Sequence, residues 1–280
     1  MKKQTTIGVV GQGFVGTAIK EGFKDYVNIE TYDKFKQSTC SSLEELSQKA
    51  EIVFVCLPTP MRRNGDCDLS IVKETIYHLN SYNNGNIAVI KSTVLPGTTD
   101  SLNKECDNIQ IVFNPEFLTE ANFINDFKNQ NRVIVGGPRP ATTKVKNLYR
   151  KCYSSATIIK TGSNTAEMVK YFTNCFLATK VSFSNEIRQI CEKIDVDYDK
   201  VVEYGLYDER IGKTHFSSPG PDGKFGFGGS CFPKDVNALI NFAESVNINP
   251  SVLKSTWGKN LEVRPDRDWE ELKGRAVSEE

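Results

Sequence analysis

The stretch Thr6-Ile7-Gly8-Val9-Val10-Gly11-Gln12-Gly13-Phe14-Val15-Gly16 decides the fold of this 280-residue chain. Its first five residues predict a buried strand, and residues 14–23 predict a helix. Between them lies the pattern GxGxxG, and an acidic residue, Asp33, ends the next predicted strand about 20 residues later. A glycine turn in this context predicts a dinucleotide site at the start of the chain.

The residues of this turn suit the pyrophosphate and ribose of NAD. The glycines let the backbone approach a phosphate, whose negative charge the helix N-terminus favours. Asp33 would bind a ribose 2′-hydroxyl and repel a 2′-phosphate, which favours NAD over NADP, although Lys34 and Lys36 weaken that preference. FAD, or glycines needed only for packing, are the alternatives. The predicted cofactor-binding residues here are Gly11, Gly13, Phe14, Val15, Gly16 and Asp33.

Strand and helix patterns alternate over the first part of the chain. This alternation predicts an α/β fold in which residues 1–160 form a doubly wound parallel sheet with helices on both faces, a Rossmann domain. The predicted strands are residues 6–10, 29–33, 51–56, 87–91, 109–113, 132–135 and 157–159.

The pattern changes after Gly162. No strong breaker interrupts residues 164–193, and apolar residues recur there at helical spacing, which predicts one long helix. Such a helix has more apolar face than a small domain can cover, which predicts a homodimer. We expect a helical substrate and dimerisation domain over 161–263 and a charged tail, 264–280, that is a peripheral helix or disordered. Shorter helices are expected at 199–204 and 236–243, and a glycine-rich loop at 211–230.

A second motif is Phe225-Gly226-Phe227-Gly228-Gly229-Ser230-Cys231-Phe232-Pro233-Lys234-Asp235. Its cysteine lies just before a predicted helix start, and Pro233 suits the first helical position. The helix N-terminus and Lys234 favour the thiolate, which makes Cys231 a good nucleophile. A buried structural cysteine is the alternative. Together with the dinucleotide turn, this motif predicts an oxidation that passes through a covalent thiol adduct.

Composition narrows the class of protein. An apolar content of 39% and a charged content of 25% are typical of a globular protein with a sizeable core. The formal net charge of zero does not favour binding to nucleic acid or to a membrane. The N-terminus resembles no signal peptide, which predicts a cytoplasmic protein. No CxxC pair or metal site is expected among Cys40, Cys56, Cys67, Cys106, Cys152, Cys175, Cys191 and Cys231.

Six motifs occur along the chain in a defined order. They are the GxGxxG turn at Gly11, Leu57-Pro58-Thr59-Pro60, Lys91-Ser92-Thr93-Val94-Leu95-Pro96-Gly97, Asn114-Pro115-Glu116-Phe117-Leu118-Thr119-Glu120, Lys170-Tyr171-Phe172-Thr173-Asn174 and the Cys231 motif. With this set the chain resembles the UDP-glucose/GDP-mannose dehydrogenase family from about Thr6 to about Asp235. The resemblance implies an NAD-dependent enzyme that oxidises a nucleotide sugar, UDP-glucose above all, to its uronic acid.

The resemblance also implies catalytic roles. Cys231 would carry a thiohemiacetal and then a thioester between two hydride transfers. Lys170 and Asn174, which share a helix face, would stabilise the oxyanion of the adduct. Thr93 and Asp235 would hold a water molecule, and Glu120 is the other candidate general base. From the residues alone, each role has an alternative that stays open. These are a solvated helix face for Lys170 and Asn174, a charge that complements the helix dipole for Asp235, and a surface loop for Glu120.

Binding residues are implied in the same way. The family's motifs add Pro58, Thr59, Thr93, Glu120 and Lys234 to the cofactor site. They assign to the substrate Glu116, Phe117, Leu118, Lys170, Asn174, Arg210, Phe225, Gly226 and Gly228. Arg210 would act from the neighbouring subunit, and a solvated arginine is the alternative.

The chain departs from the family after the Cys231 motif. Family members carry a third, nucleotide-binding domain, and the residues after Asp235 are too few for a doubly wound sheet, so the grip on the nucleotide is in doubt. Two other functions therefore stay open. One is an NAD enzyme for a smaller sugar phosphate or hydroxy acid, and the other is a non-catalytic or partner-dependent assembly protein.

Overall fold

A seven-stranded sheet organises the first half of the chain. The computed structural model describes residues 5–279. The strand order is β2-β1-β3-β4-β5-β6-β7. A long helix, residues 163–193, follows the sheet in the chain, so the predicted α/β class is confirmed. The strands are β1 Thr6–Val10, β2 Asn28–Tyr32, β3 Ile52–Val55, β4 Ile87–Ile90, β5 Gln110–Phe113, β6 Arg132–Gly136 and β7 Thr157–Thr161.

Ten α-helices and two short 3₁₀ helices, at Glu209–Ile211 and Asp268–Glu271, occur among the described residues. The predicted long helix is present as one element of 31 residues, α7. The α-helices are α1 Phe14–Phe23, α2 Leu43–Lys49, α3 Ser70–Ser81, α4 Thr98–Glu105, α5 Phe123–Lys128, α6 Ala141–Cys152, α7 Ser163–Lys193, α8 Tyr198–Gly205, α9 Cys231–Ser245 and α10 Ser251–Val263.

The sheet is parallel from β2 to β5 but not throughout, which corrects the prediction of a wholly parallel sheet. The pair β5 and β6 is antiparallel and meets at Phe113 and Gly136, whereas β6 and β7 are parallel to each other. The connection between β5 and β6 contains only the six-residue helix α5. An antiparallel neighbour needs no full crossover along the sheet, so β6 can run back beside β5 after this connection.

Both faces of the sheet are covered by apolar side chains. One core contains Phe23 of α1, Phe54 of β3 and Tyr149 of α6, and the opposite core contains Leu46 of α2 and Ile76 of α3. Every residue of β3 and β4 is buried. Strands buried on both faces read as continuous apolar runs, which is why these two were evident in the sequence.

The chain divides into two compact units. The sheet unit comprises residues 5–59 and Leu69–Lys170, and the helical unit comprises Pro60–Asp68 and residues 171–279. The predicted domains, 1–160, 161–263 and 264–280, stay a prediction, and their residues 1–4 and 280 lie outside the described part of the chain.

Helix α9 begins earlier than the motif indicated. Cys231 is its first residue and Ser230 is the N-cap, so the thiol lies inside the first turn rather than before it. Pro233 is then the third helical residue. A proline is tolerated there because the amides of the first turn have no intrahelical acceptor.

Candidate active site

The dinucleotide turn has the shape that a phosphate needs. Gly11 has a φ of +86°, and a side chain there would lie 2.5 Å from the carbonyl oxygen of Cys56. A Cβ on Gly16 would lie 1.9 Å from the carbonyl oxygen of Gly11, so only glycine lets α1 pack this closely. Gly13, in contrast, has no atom within 4 Å of such a Cβ. The turn is therefore tight on its inner side and open at Gly13.

The open position coincides with the N-terminus of α1. Gly13 is the N-cap, no side chain caps the helix, and its first turn holds no acidic residue. Phe14 and Val15 are the first two helical residues. Free space beside an uncapped helix N-terminus suits an anionic group, so these residues fit the pyrophosphate of NAD.

Asp33 lies against the glycine turn. Its carboxylate accepts hydrogen bonds from the backbone amides of Gln12 at 2.6 Å, Phe35 at 2.9 Å and Lys36 at 3.1 Å. The Lys36 ammonium in turn donates to the carbonyl of Gln12 at 2.8 Å. The carboxylate thus orders the backbone of the turn, a role that the GxGxxG pattern did not predict.

The ends of β3 and β4 are tied together by Ser92. Its hydroxyl donates to the carbonyl of Leu57 at 2.6 Å and accepts from the amide of Leu57 at 2.9 Å. The two predicted cofactor-binding threonines, Thr59 and Thr93, are buried, whereas Pro58 is exposed. Each threonine directly follows one of the two joined segments, so this link orders both.

A buried cluster of charges lies in the sheet unit. The ammonium of Lys170 contacts the carboxylate and the backbone carbonyl of Glu116, both at 2.8 Å. Burial, the largest single effect, disfavours the ionised Glu116 carboxylate, but the charge and hydrogen bond of Lys170, the Leu118 amide and the Lys91 charge together outweigh it and lower the pKa of Glu116. Phe117 lies under Lys170 at 5.7 Å, and the amide of Leu118 donates to Glu116 at 2.8 Å. Four predicted substrate residues are therefore in contact.

A second buried lysine, Lys91, was not predicted as a site residue. Its ammonium donates to the side-chain oxygen of Asn114 at 3.1 Å and to the carbonyl of Pro115 at 3.3 Å. Tyr149 donates to the same Asn114 oxygen at 2.6 Å. Burial among neutral acceptors lowers the pKa of Lys91 to about 8, although Glu116 opposes that shift. Lys91 directly follows the apolar strand β4, so the sequence pattern there indicates a buried strand and does not single out this lysine.

Stability of the fold should therefore depend on the charge of Lys91. Its pKa in the folded chain is about 8, against 10.5 for an ordinary lysine, so the cost of burying the charge is present at neutral pH and disappears as pH rises. Between pH 7.5 and 9.5 wild type should gain about 2 kcal/mol in unfolding free energy relative to Lys91→Met. Urea unfolding at several pH values measures this difference.

The exposed Lys73→Met variant is the matched control, and its difference from wild type should not change with pH. A Lys91→Met difference that stayed constant from pH 7.5 to 9.5 would contradict the expected loss of the proton.

Two acidic residues, Glu120 and Glu167, lie in contrasting environments. Glu120 is exposed in the turn before α5. Glu167, on α7, is buried and accepts hydrogen bonds from the backbone amides of Gly97 at 2.7 Å and Thr99 at 2.9 Å. Burial raises the pKa of Glu167 against the effect of these hydrogen bonds. Glu167 thus caps α4 from a distant helix, and no local sequence pattern reports such a cap.

In the helical unit, Asp235 joins two other predicted site residues, Asn174 and Lys234. It is buried, and its carboxylate accepts from the Asn174 side chain at 2.6 Å and from the Lys234 ammonium at 2.6 Å. Burial, the largest single effect, disfavours the Lys234 ammonium, but Asp235 together with Cys231 and Cys67 outweighs it and raises the pKa of Lys234. Cys231 lies one helical turn before Asp235 on α9 and is partly buried.

The other thiols differ from Cys231 in their surroundings. Burial raises the pKa of Cys56 to about 12 and that of Cys152 to about 11. It also raises the pKa of Cys175. A thiol kept protonated is a poor nucleophile, so these three cysteines are suited to packing.

Residues 225–230 precede Cys231 and form a loop that we call the glycine loop. Its backbone is held by two buried asparagines. Asn260 accepts from the amide of Phe227 at 2.7 Å and donates to its carbonyl at 2.9 Å. Asn185 accepts from the amide of Gly226 at 3.2 Å. Asn260 follows in the chain by about 30 residues, and no pattern in the motif points to it.

Three further predicted substrate residues, Phe225, Arg210 and Gly228, differ in their exposure. Phe225 is partly exposed. Arg210 is exposed and forms a bidentate ion pair with Asp208. A Cβ on Gly228 would lie 2.5 Å from two charged side chains, so this glycine is enclosed on one side.

Residues 5–279 contain no group of three or more His, Cys, Asp or Glu side chains that could hold a metal ion. None of the helices in this part of the chain has the length and the apolar character needed to cross a membrane.

Sequence comparison identifies the same family in both units. A sequence model described as the NAD binding domain of the UDP-glucose/GDP-mannose dehydrogenase family matches residues 19–154, and that of the family's central domain matches residues 164–261. The chain is 36% identical over 236 residues to the UDP-glucose 6-dehydrogenase TuaD of Bacillus subtilis, covering 80% of this chain and 49% of TuaD. It is 36% identical over 229 residues to a UDP-glucose 6-dehydrogenase of Rickettsia bellii, covering 78% and 51%.

The chain thus spans about half the length of these curated relatives. Among solved structures it is similar to a UDP-glucose dehydrogenase from the archaeon Pyrobaculum islandicum. The TM-score is 0.85 at 27% identity, over 96% of this chain and 70% of that one.

Proposed function

Because the chain belongs to the UDP-glucose/GDP-mannose dehydrogenase family, we propose that it is an NAD-dependent nucleotide-sugar dehydrogenase that oxidises UDP-glucose to UDP-glucuronate. The observation that carries this proposal is the position of Cys231, at the N-terminus of α9 and one turn before the buried group of Lys234, Asp235 and Asn174. A nucleophile beside a buried acid and amide is needed for a covalent oxidation and not for a simple two-electron one.

The reaction would proceed in two oxidations. The primary alcohol loses a proton and a hydride and becomes an aldehyde, to which the Cys231 thiolate adds. The resulting thiohemiacetal loses a second hydride and becomes a thioester, which water cleaves to the carboxylate and the free thiol. Bound NAD supplies the hydride acceptor at each oxidation. In total one water is consumed and two NADH are formed for each sugar.

Individual side chains suit separate parts of this chemistry. Asp235 is oriented by two donors, which leaves its carboxylate positioned to hold a water or take a proton. Lys170 is a buried cation that would stabilise the oxyanion of the adduct. Glu120, exposed and on the surface, would serve as base in thioester hydrolysis.

The test is NADH formed per sugar consumed, measured with the purified chain, NAD and UDP-glucose, and with GDP-mannose as a competing substrate. Two NADH per UDP-glucose are expected. One NADH per molecule of a sugar phosphate or hydroxy acid, with none from UDP-glucose, would instead support an enzyme for a smaller substrate. NAD binding without turnover of either the nucleotide sugars or the smaller substrates would support a function that depends on a partner chain.

The proposed assembly is a homodimer formed through α7. This helix carries a row of exposed apolar side chains, among them Phe172 (68% exposed), Phe176 and Phe183 (57% exposed), and the first two rings stack at 6.2 Å. Exposed apolar patches of this kind mark interaction surfaces. A dimer would also allow Arg210 of one copy to serve the substrate of the other.

Light scattering tests the dimer. The chain should have the mass of a dimer at micromolar concentration, and Phe183→Glu should weaken the dimer by roughly 100-fold or more, because a charge would be buried at the centre of the contact. Lys193→Glu, at the exposed end of α7, is the control and should stay dimeric. A wild-type monomer at micromolar concentration would contradict the proposal.

The proposed compartment is the cytoplasm. All eight cysteines lie within the described residues and none of them is in a disulfide bond, which suits a reducing environment.

A further inference from the structure

We propose that residues 264–279, which follow α10 and which we call the clasp, set the position of Cys231 by holding the glycine loop, with Asp268 as the main positioning residue. The match to the family's central domain ends at residue 261, so the clasp lies outside it. Any effect of the clasp on substrate turnover rests on the proposed function, whereas its effect on the position and reactivity of the Cys231 thiol does not.

The clasp holds the loop first through the buried guanidinium of Arg264. Arg264 is 3% exposed. Its guanidinium donates to Asp268 at 2.7 Å, to Asp222 at 2.6 Å and to the carbonyl of Phe225 at 3.2 Å. The carboxylate of Asp268 also accepts a hydrogen bond from the backbone amide of Gly229. The backbone is therefore bonded at both ends of the glycine loop.

Close packing makes these contacts specific. A Cβ built on Gly228 would lie 2.5 Å from the guanidinium of Arg264 and 2.5 Å from the carboxylate of Asp268. The loop lies directly on the two charged groups, and no larger residue at this position leaves room for them. Gly226 and Gly229 have φ of +68°, so the backbone between these contacts has a conformation that other residues rarely adopt.

Aromatic contacts run parallel to the polar ones. Trp269 of the clasp is 1% exposed and lies 5.2 Å from Trp257 of α10. Trp257 lies 6.2 Å from Phe227 in the glycine loop, and Phe227 lies 5.9 Å from Phe232. Phe232 follows Cys231 directly, so the aromatic row connects the clasp to the first turn of α9.

The far end of the clasp holds a second segment that contacts α9. Met61 donates to the carbonyl of Ala276 and accepts from the amide of Ser278, both at 2.8 Å. Met61 is also bridged to Cys67 in the hairpin that Pro60–Asp68 forms. Asn241 of α9 donates to the carbonyl of Asn64 in that hairpin at 2.7 Å. The clasp thus joins the loop before α9 to a hairpin on its side.

These contacts decide where the thiol lies. Cys231 is the first residue of α9, so its position depends on the loop that leads into the helix. If the loop were free, the thiol would leave the helix N-terminus for part of the time and lose the environment that favours the thiolate. Asp268 would act on this equilibrium through Gly229, without touching substrate or cofactor.

The experiment compares Asp268→Ala and Asp268→Asn with Glu271→Ala, an exposed control in the same 3₁₀ helix. Hydrogen exchange is followed in peptides that cover residues 225–231. Alkylation of Cys231 by iodoacetamide is followed as a function of pH in the corresponding peptide by mass spectrometry. Neither measurement needs substrate or NAD, so a failure of the proposed function leaves this test intact.

Asp268→Ala should raise exchange in the loop by roughly tenfold and raise the pH midpoint of Cys231 alkylation by about one unit. Asp268→Asn keeps an oxygen that accepts from the amide of Gly229, so its exchange rate and its alkylation midpoint should lie between those of Asp268→Ala and wild type. If the alanine variant does not fold, the asparagine variant alone decides the outcome. Loop exchange and alkylation within twofold of wild type, or exchange raised equally throughout the helical unit, would overturn the proposal.

Discussion

Replacing Cys231 with alanine is expected to abolish the formation of two NADH from UDP-glucose. Without the thiol there is no acceptor for the aldehyde and no thioester, so the second oxidation should fall by roughly 10³-fold or more. Cys231→Ser keeps the size of the side chain but not its nucleophilicity, and should fail at the same step. The measurement is NADH per sugar by absorbance, with the sugar products identified by chromatography.

Cys152→Ser is the control for this result. Burial raises the pKa of that thiol to about 11, so the variant should form two NADH per sugar like wild type. Affinity for NAD should be unchanged in all of these variants. Full formation of uronic acid by Cys231→Ala would contradict a covalent mechanism.

Two glycines of the dinucleotide turn should respond in opposite ways to substitution by alanine. A methyl group on Gly16 would lie 1.9 Å from the backbone oxygen of Gly11, so Gly16→Ala should lower the unfolding free energy by more than about 3 kcal/mol. A methyl group on Gly13 meets no atom. Gly13→Ala should therefore fold normally but weaken NAD binding by roughly tenfold or more, because the methyl group occupies the phosphate position.

Thermal unfolding and calorimetric titration with NAD separate the two effects. Gly258→Ala is the matched control, because Gly258 also has open space and lies inside α10. It should change stability by no more than about 1 kcal/mol and leave NAD binding unaltered. Equal NAD affinity in Gly13→Ala and wild type would show that the open position is not a phosphate site.

Local patterns in the sequence determined the elements that carry the chemistry. The GxGxxG turn places three glycines within six residues, and their roles depend on neighbours that are close in the chain. The apolar runs of β3 and β4 and the helical spacing along α7 are likewise local signals, because each reports how one element is buried. Cys231, next to a glycine loop and a helix start, was found for the same reason.

Contacts between distant segments were decided only by the tertiary structure. Strand β6 runs antiparallel to β5, and no strand pattern contains that direction. Glu167 reaches α4 across about 70 residues, Asn260 reaches Phe227 across about 30, and Asp268 reaches Gly229 across about 40. Helix and strand periodicity relate only residues that are close in the chain, so they do not connect a carboxylate or amide with a hydrogen-bond partner at such a distance. Its hydrogen bonds exist because folding brings together backbone groups that would otherwise be buried without a partner.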